Sequence, residues 1–314
     1  MANSEAISGV QSYLLYGKET TYNTAVSRTL HVGLVTNFKH NINSNMQTNR
    51  GLVGTTTGGR KAYSFTAGTL AIESSLDFKA TRWDFLEYVL GTASGTGTIT
   101  YTEANIPPSM TISTNIDNPG SASTDQEVTL SGTVWDSVTI KTSVGEPVMV
   151  SASLKSALAV IDTTLSSAVA LPSEAVFNFS GASIQLPNAS DLTNIVDSLE
   201  ITIRNNYTML YGVGSRLARN ALPAELDYEI KISLKYLDNA LFTAALGATT
   251  PTAAGTPTEY ADLECTFADG TRSAVFLFGG VPLSDFAQVH ELNSAVSEDI
   301  TLKAKTLTVT YDST

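Results

Sequence analysis

Between residues 70 and 78 apolar and polar side chains alternate. Leu70, Ile72, Leu76 and Phe78 fall on one side and Ala71, Glu73, Ser75 and Asp77 on the other, with Ser74 the one polar residue on the apolar side. A period of two is the mark of a strand with one dry and one wet face. Residues 226–235 repeat the plan, setting Leu226, Tyr228, Ile230, Ile232 and Leu234 against Asp227, Glu229, Lys231, Ser233 and Lys235. Each strand leads into a short apolar segment that reads as a helix, at about 82–90 and 239–246, stopped by Gly91 and Gly247. Antiparallel sheets solvated on one side give this pattern, and the helices are expected to cover the dry side.

The offset from Leu70 to Leu226 and from Gly91 to Gly247 is the same 156 residues, without a gap between, which marks a duplicated unit. Further strands are expected at 32–42, 109–115, 128–141 and 146–158 in the first half, and at 262–268, 273–282 and 297–311 in the second. Pro147 and Pro282 are expected at strand ends, because proline cannot donate to a central ladder. Two long polar, Gly-containing segments, 43–61 and 205–224, lack periodicity and occupy about the same place in each half. Loops of that length in compact domains usually have a function. The runs 92–97 and 248–256 read as flexible connections. This divides the chain into a polar arm, residues 1–27, a first module, 28–165, and a second, 166–314. The length allows each module its own core.

Charged residues are 15% of the chain, below the usual quarter, while Thr, Ser, Ala, Gly and Val abound. The expected class is all-β dominated: two tandem β-sandwich modules, each with a short flanking helix and a long hairpin-type loop. The net charge of -12, with an isoelectric point near 4.6, repels a phosphate backbone and excludes sequence-specific DNA binding. The lone Cys265 sits in an alternating run and reads as a buried filler. No apolar run approaches the roughly 20 residues of a membrane helix, and the start lacks the regions of a secretory signal. The expected product is soluble, made in the cytoplasm, with no membrane partner.

Candidate chemistry does not converge. His31, His40 and His290 lack metal-ligand spacing. Gly17-Lys18-Glu19-Thr20 has Ser12 where a phosphate loop needs glycine, and Gly212-Val213-Gly214 has Leu217 at the third glycine of a dinucleotide fingerprint. No Gly-x-Ser-x-Gly elbow occurs. The acidic pairs Glu73 with Asp77 and Asp227 with Glu229 read as solvated strand faces rather than glycosidase carboxylates, and Trp83 as a core aromatic. No catalytic, cofactor or metal residue is assigned, so an enzyme is not expected. The rival reading is a carbohydrate-binding or adhesive β-sandwich, which gives no reason for matched long loops.

The lead-in Gly17-Lys18-Glu19-Thr20-Thr21-Tyr22-Asn23-Thr24-Ala25, the Leu90-Gly91-Thr92 stop, the Gly145-Glu146-Pro147-Val148 turn and Asp197-Ser198-Leu199-Glu200-Ile201 followed by Asn205-Asn206 resemble the major tail tube proteins of long-tailed bacteriophages and related viruses. The likeness covers most of the chain. It implies a structural virion protein of the tail, made in the host cytoplasm, that forms stacked rings around a lumen for genome delivery. A two-module chain implies homotrimeric rings of pseudo-six-fold symmetry, with a homohexamer as the alternative. Implied partners are further copies of itself, the tape measure protein in the lumen, the tail terminator and distal tail proteins, and double-stranded DNA passing without specific binding. Stacking between rings falls to Asn49, Arg50, Arg60, Lys61, Asn206, Arg216 and Arg219. The lumen wall falls to Glu73, Asp77, Ser137, Thr139, Ser198, Glu200, Asp227 and Glu229, a mixed but acidic-leaning set. Such a wall repels DNA within a Debye length of about 8 Å.

Overall fold

The computed structural model describes residues 13–50, 64–116, 125–165, 174–187, 190–250, 256–290, 292 and 295–313. The first half runs β1 (Leu14–Lys18), β2 (Leu34–Asn43), β3 (Gln47–Asn49), β4 (Ser64–Thr66), β5 (Ala71–Lys79), α1 (Leu86–Leu90), β6 (Gly91–Thr96), β7 (Thr98–Glu103), β8 (Met110–Ile116), β9 (Gln126–Ser143), β10 (Met149–Ser156) and β11 (Leu158–Asp162). The second runs β12 (Ala182–Gln185), β13 (Val196–Arg204), β14 (Thr208–Tyr211), β15 (Ala218–Leu222), β16 (Asp227–Lys235), α2 (Ala240–Leu246), β17 (Glu259–Ala268), β18 (Ser273–Val289), β19 (Ser297–Ala304) and β20 (Thr306–Asp312). The fold is dominated by antiparallel β-structure.

One sheet runs β2-β5-β10-β9-β13-β16-β19-β18. Its alternating strands put Ile72, Leu76 and Phe78 of β5, and Tyr228, Ile230, Ile232 and Leu234 of β16, on the buried side. Strands β9 and β18 are long because each serves two sheets. Their later parts belong to this sheet, and their earlier parts lie in outer layers ordered β1-β8-β9-β11 and β12-β17-β18-β20-β7-β6. The turn between layers is made at glycines with left-handed φ, Gly132 at 61° and Gly280 at 60°.

A Cβ at Gly132 would lie 2.8 Å from the Ala157 Cβ, whereas at Gly280 it would meet the Lys305 Cδ at 2.7 Å, which can swing away. Both substitutions add left-handed strain of about 1–2 kcal/mol. Gly132→Ala is therefore expected to cost about 2–3 kcal/mol and Gly280→Ala about 1 kcal/mol, read from urea midpoints. Equal losses would show that the Ala157 contact is not what matters.

The sheet order repeats: β2-β5-β10-β9 is followed by β13-β16-β19-β18, each quartet using its own half's strands in the same sequence. Irregularities repeat too. The register shifts at Thr36, between Val35 and Asn37, and at Asp197, between Val196 and Ser198. It shifts again at Asp136 opposite β10 and at Ser284 opposite β19. Asn45 and Asn206 both take left-handed φ, 44° and 50°. From Ala71 to Asp227 the offset is 156 residues, but from Met149 to Ser297 it is 148, and the change falls where the first half carries the additional β6–β7 hairpin.

Several expectations need correction. Within the supposed arm, Leu14, Leu15 and Tyr16 are buried in strand β1, paired with β8; residues 1–12 lie outside the described set. Residues 92–97 are not a flexible run: β6 and β7 form a hairpin whose β7 pairs with β20, extending the second half's outer layer. Residues 297–311 are two strands, parted at Lys305. The buried residues are not two cores. One cluster reaches from Leu14 to Tyr311, with two small satellites. Cys265 is fully buried in it, where desolvation pushes its thiol far up.

Candidate functional site

The polar side of the long sheet gathers all eight of the wet residues assigned above: Glu73 and Asp77 on β5, Ser137 and Thr139 on β9, Ser198 and Glu200 on β13, Asp227 and Glu229 on β16. One cross-strand row reads Asn37, Asp77, Ser151, Thr139, Thr202, Glu229, Lys303. The next begins at Lys79 and includes Lys141, Glu200, Lys231 and Asp285.

The register decides the charge of this face. Lys231 sits 3.0 Å from Glu229 and 3.8 Å from Glu200, whose other neighbour is Lys141 at 3.7 Å. Arg204 lies 3.3 Å from Asp227 and 3.5 Å from Glu229, and Lys303 approaches Asp227 at 3.2 Å. Lys235 reaches Asp197 at 3.4 Å. The hydrogen bond from Lys231, aided by its charge and that of Arg204, holds the Glu229 carboxyl below its ordinary range. The eight residues lean acidic, and the basic side chains that share their face offset that lean. The face is an interleaved set of ion pairs, and the chain's acidic excess lies largely elsewhere. Exposed pairs of this kind contribute about 0–1 kcal/mol each, so their consequence is a wetted, near-neutral wall rather than stability.

At one end of the sheet stand two hairpins, β3–β4 between β2 and β5, and β14–β15 between β13 and β16. Asn49 lies on β3 and donates to the hydroxyls of Ser64 (3.1 Å) and Thr66 (2.6 Å); Arg50 follows it, exposed. Arg60 and Lys61 lie outside the described residues. Asn206 donates to the Glu225 carbonyl at 2.8 Å, and Asn45 makes the matching bond to Thr69 at 3.0 Å. Arg219 caps the Val213 carbonyl at 3.2 Å. Arg216 is exposed. Its Nε donates to the Gly68 carbonyl at 2.9 Å and its own carbonyl accepts from Leu70 at 2.8 Å, tying the second half's hairpin to the first half. Both hairpins expose apolar groups, Met46 and Phe65 on one, Leu210, Val213 and Leu222 on the other. The opposite end exposes Val144, Leu237 and Leu292.

Two polar fixtures were not foreseen from sequence. Glu19 is buried and accepts from Ser109 (2.6 Å), Thr111 (2.8 Å) and the N–H groups of Gly132 and Asn23 (2.9 Å each), anchoring the lead-in to the bend of β9. Asp269, against Arg272, is the second. Burial raises its carboxyl, but the Arg272 and Thr271 N–H groups and the guanidinium outweigh this and hold it down at about 2. A lowered carboxyl stabilises the fold above its unfolded value and loses that contribution as pH falls through the folded one. Asp269→Asn is expected to cost about 2 kcal/mol at neutral pH and to flatten the loss of stability between about pH 4 and 2. An unchanged acid profile would count against this assignment.

Among the described residues no group of three or more His, Cys, Asp and Glu is placed to hold a metal ion, and no helix is long and apolar enough to cross a membrane. Backbone edges are the remaining recognition surface. Among the described residues, the outer edge of β2 and the 283–289 stretch of β18 pair with no further strand, leaving the sheet unclosed at both ends. A sheet wet on one side, open at two edges and flanked by hairpins with exposed apolar groups defines a structural protein built to join other chains. The chain belongs to the phage tail tube protein family, whose model matches residues 9–312. It is a structural component of the virion tail that associates with itself into a tube. No curated protein matches it.

Proposed function

We propose that the chain is the ring-forming subunit of the tube through which the viral genome is delivered. Residues 28–165 and 166–314 act as two modules around a shared core, with the lead-in 1–27 packed on the first through β1, so that three chains make a pseudo-six-fold ring. The observation that carries this reading is the repeated strand order within one sheet, with its repeated bulges and two open edges. A unit that already joins two like quartets side by side needs only further copies to close. Closure also removes the exposed edges, which would otherwise recruit strands indiscriminately.

In this reading the ion-paired face lines the lumen, first around the tape measure protein and then around passing DNA. A wall most of whose cations, Lys39 and Lys79 apart, are already engaged by carboxylates offers the phosphates few free partners, so DNA slides without specific binding. The hairpins, with Asn49, Arg50, Arg60, Lys61, Asn206, Arg216 and Arg219, meet the next ring. The terminator and distal tail proteins cap the ends, and synthesis is in the host cytoplasm.

Cryo-electron microscopy and native mass of assembled protein test the reading. Rings of three chains are expected. Rings of six full chains would overturn the stoichiometry, and a persistent monomer that binds sugars would favour an adhesive protein.

A further inference from the structure

We propose that the contact between chains copies the contact within the chain: β18 of one chain pairs with β2 of the next in the register by which β9 pairs with β13. Ile42 then faces Phe286 and Asn41 faces Ala287. This rests on the ring reading above and gives it a residue-level seam.

The bulges fix the correspondence without choice of alignment. Val35 faces Phe78 and Val196 faces Leu234, each just before the one-residue shift. Val35 therefore corresponds to Val196, Asn37 to Ser198, Asn41 to Thr202 and Ile42 to Ile203. On the other side, the shift skips Asp136 in β9 and Ser284 in β18. Ser137 thus corresponds to Asp285, Val138 to Phe286, Thr139 to Ala287 and Ile140 to Gln288. Inside the chain Ile203 faces Val138, Thr202 faces Thr139 and Ile201 faces Ile140. Carried across, Ile42 faces Phe286, Asn41 faces Ala287 and His40 faces Gln288.

Burial points the same way, independently of register. Ile203 and Val196 are 0% and 4% exposed, whereas Ile42 and Val35 are 45% and 37% exposed. The helices differ likewise. Counting back from their left-handed glycine caps, Phe85, Leu86 and Val89 of the α1 region correspond to Leu241, Phe242 and Ala245. The first three are buried, while Phe242 is 45% exposed and its two companions are half-buried. β6, β7 and β9 of its own half pack around α1, and the second half adds Asn205, which donates to the carbonyls of Val89 and Trp135, both at 3.0 Å. The residue in Asn205's place on the next chain is Ser44, whose hydroxyl can donate to the Ala245 carbonyl. The apolar edge left bare at β2 is the one that the inner seam buries; α2 is barer also because, among the described residues, its half has no counterpart of the β6–β7 hairpin that packs on α1.

The seam chemistry is altered on its wet side. The Glu200–Lys141 ion pair is replaced by Lys39 opposite Val289, and the Thr202–Thr139 hydroxyl bond by Asn41 opposite Ala287. Apolar contacts of Ile42, Phe38, Phe286 and Phe242 must carry the joint, and it is weaker than the covalently linked one.

The test is oxidative cross-linking of Asn41→Cys with Ala287→Cys under assembly conditions; native Cys265 is fully buried. The expected result is near-complete conversion to covalent multimers, with little product when Asn41→Cys is combined instead with Asp285→Cys or Val289→Cys. Tubes that form normally but cross-link through a slipped pair, or through none, overturn the seam and leave the ring reading standing. Failure of the unmodified protein to form rings overturns the ring reading itself. Should the cysteine variants not fold, a helical reconstruction of unmodified tubes reads the register directly, and Ile42 away from Phe286 of the adjacent chain refutes it.

Discussion

Trp83→Ala is expected to destabilise the chain by about 3–5 kcal/mol, the range for emptying a buried aromatic site. The indole is fully buried and touches rings from both halves. Its centroid lies 5.8 Å from Phe85, 5.6 Å from Phe177, 5.6 Å from Phe267 in a stacked pose and 5.1 Å from Phe276 edge-on. Phe85 in turn stacks on Trp135 at 5.4 Å. Alanine would open a cavity at the point where α1's lead-in, the 174–177 segment and strands β17 and β18 meet. Because the rings belong to both halves, a single transition should shift, by both circular dichroism and calorimetry. Two transitions, one unmoved, would mean that the halves are energetically separate. The Trp83 Nε1 is buried without a protein acceptor, so Trp83→Phe should cost far less, about 1 kcal/mol. If Phe costs as much as Ala, the indole nitrogen has a role that packing does not explain.

The wet and dry strands were legible because β5 and β16 each bury one side only. The ungapped offset held from residue 69 to 91 and failed beyond it, where β6–β7 displaces the alignment. That hairpin was unreadable for a physical reason: Gly91–Thr96 has the composition of a loop, and a tertiary partner, the edge of β20, makes its hairpin a sheet extension. Strand β1 was missed because its four consecutive buried residues, Leu14 to Gly17, show no alternation and are too few to mark an element. In β9 the run from Leu130 to Trp135 is buried on both sides, so alternation vanishes where the strand changes layers, and the bend at Gly132 left no sequence signal apart from the glycine. Of the eight wet residues, Glu73, Asp77, Asp227 and Glu229 followed from alternation, whereas Ser137, Thr139, Ser198 and Glu200 came with the family resemblance. Their charge balance did not follow in full: alternation placed Lys231 and Lys235 on the face, but that Lys141, Arg204 and Lys303 join them depends on strand pairing and on bulges such as those at Asp197 and Asp136. Nor did the adjacency of β9 and β13, which lies in pairing rather than pattern.

Ile42→Asp should raise the concentration needed for assembly more than 100-fold while leaving the isolated chain folded. In the single chain Ile42 is half-exposed on an edge strand, where a carboxylate keeps its water and costs about 1 kcal/mol or less. In the ring it takes the environment of Ile203, which lies between Val138 and Tyr228 on the dry side of the sheet. No cation stands in the corresponding positions, Phe286 and Ile72, so the charge would be buried unpaired. Such burial costs about 3–5 kcal/mol, and 3 kcal/mol is about two orders of magnitude in the association constant of each seam. Sedimentation across a concentration series reads the shift, and the melting curve of dilute protein reports on the fold. Ile42→Val, which keeps the apolar contact, should assemble close to normally, whereas Ile203→Asp should unfold the chain outright. Tubes of Ile42→Asp forming at the ordinary concentration would mean that β2 is not buried between chains, and the edge that closes the ring would have to be sought elsewhere.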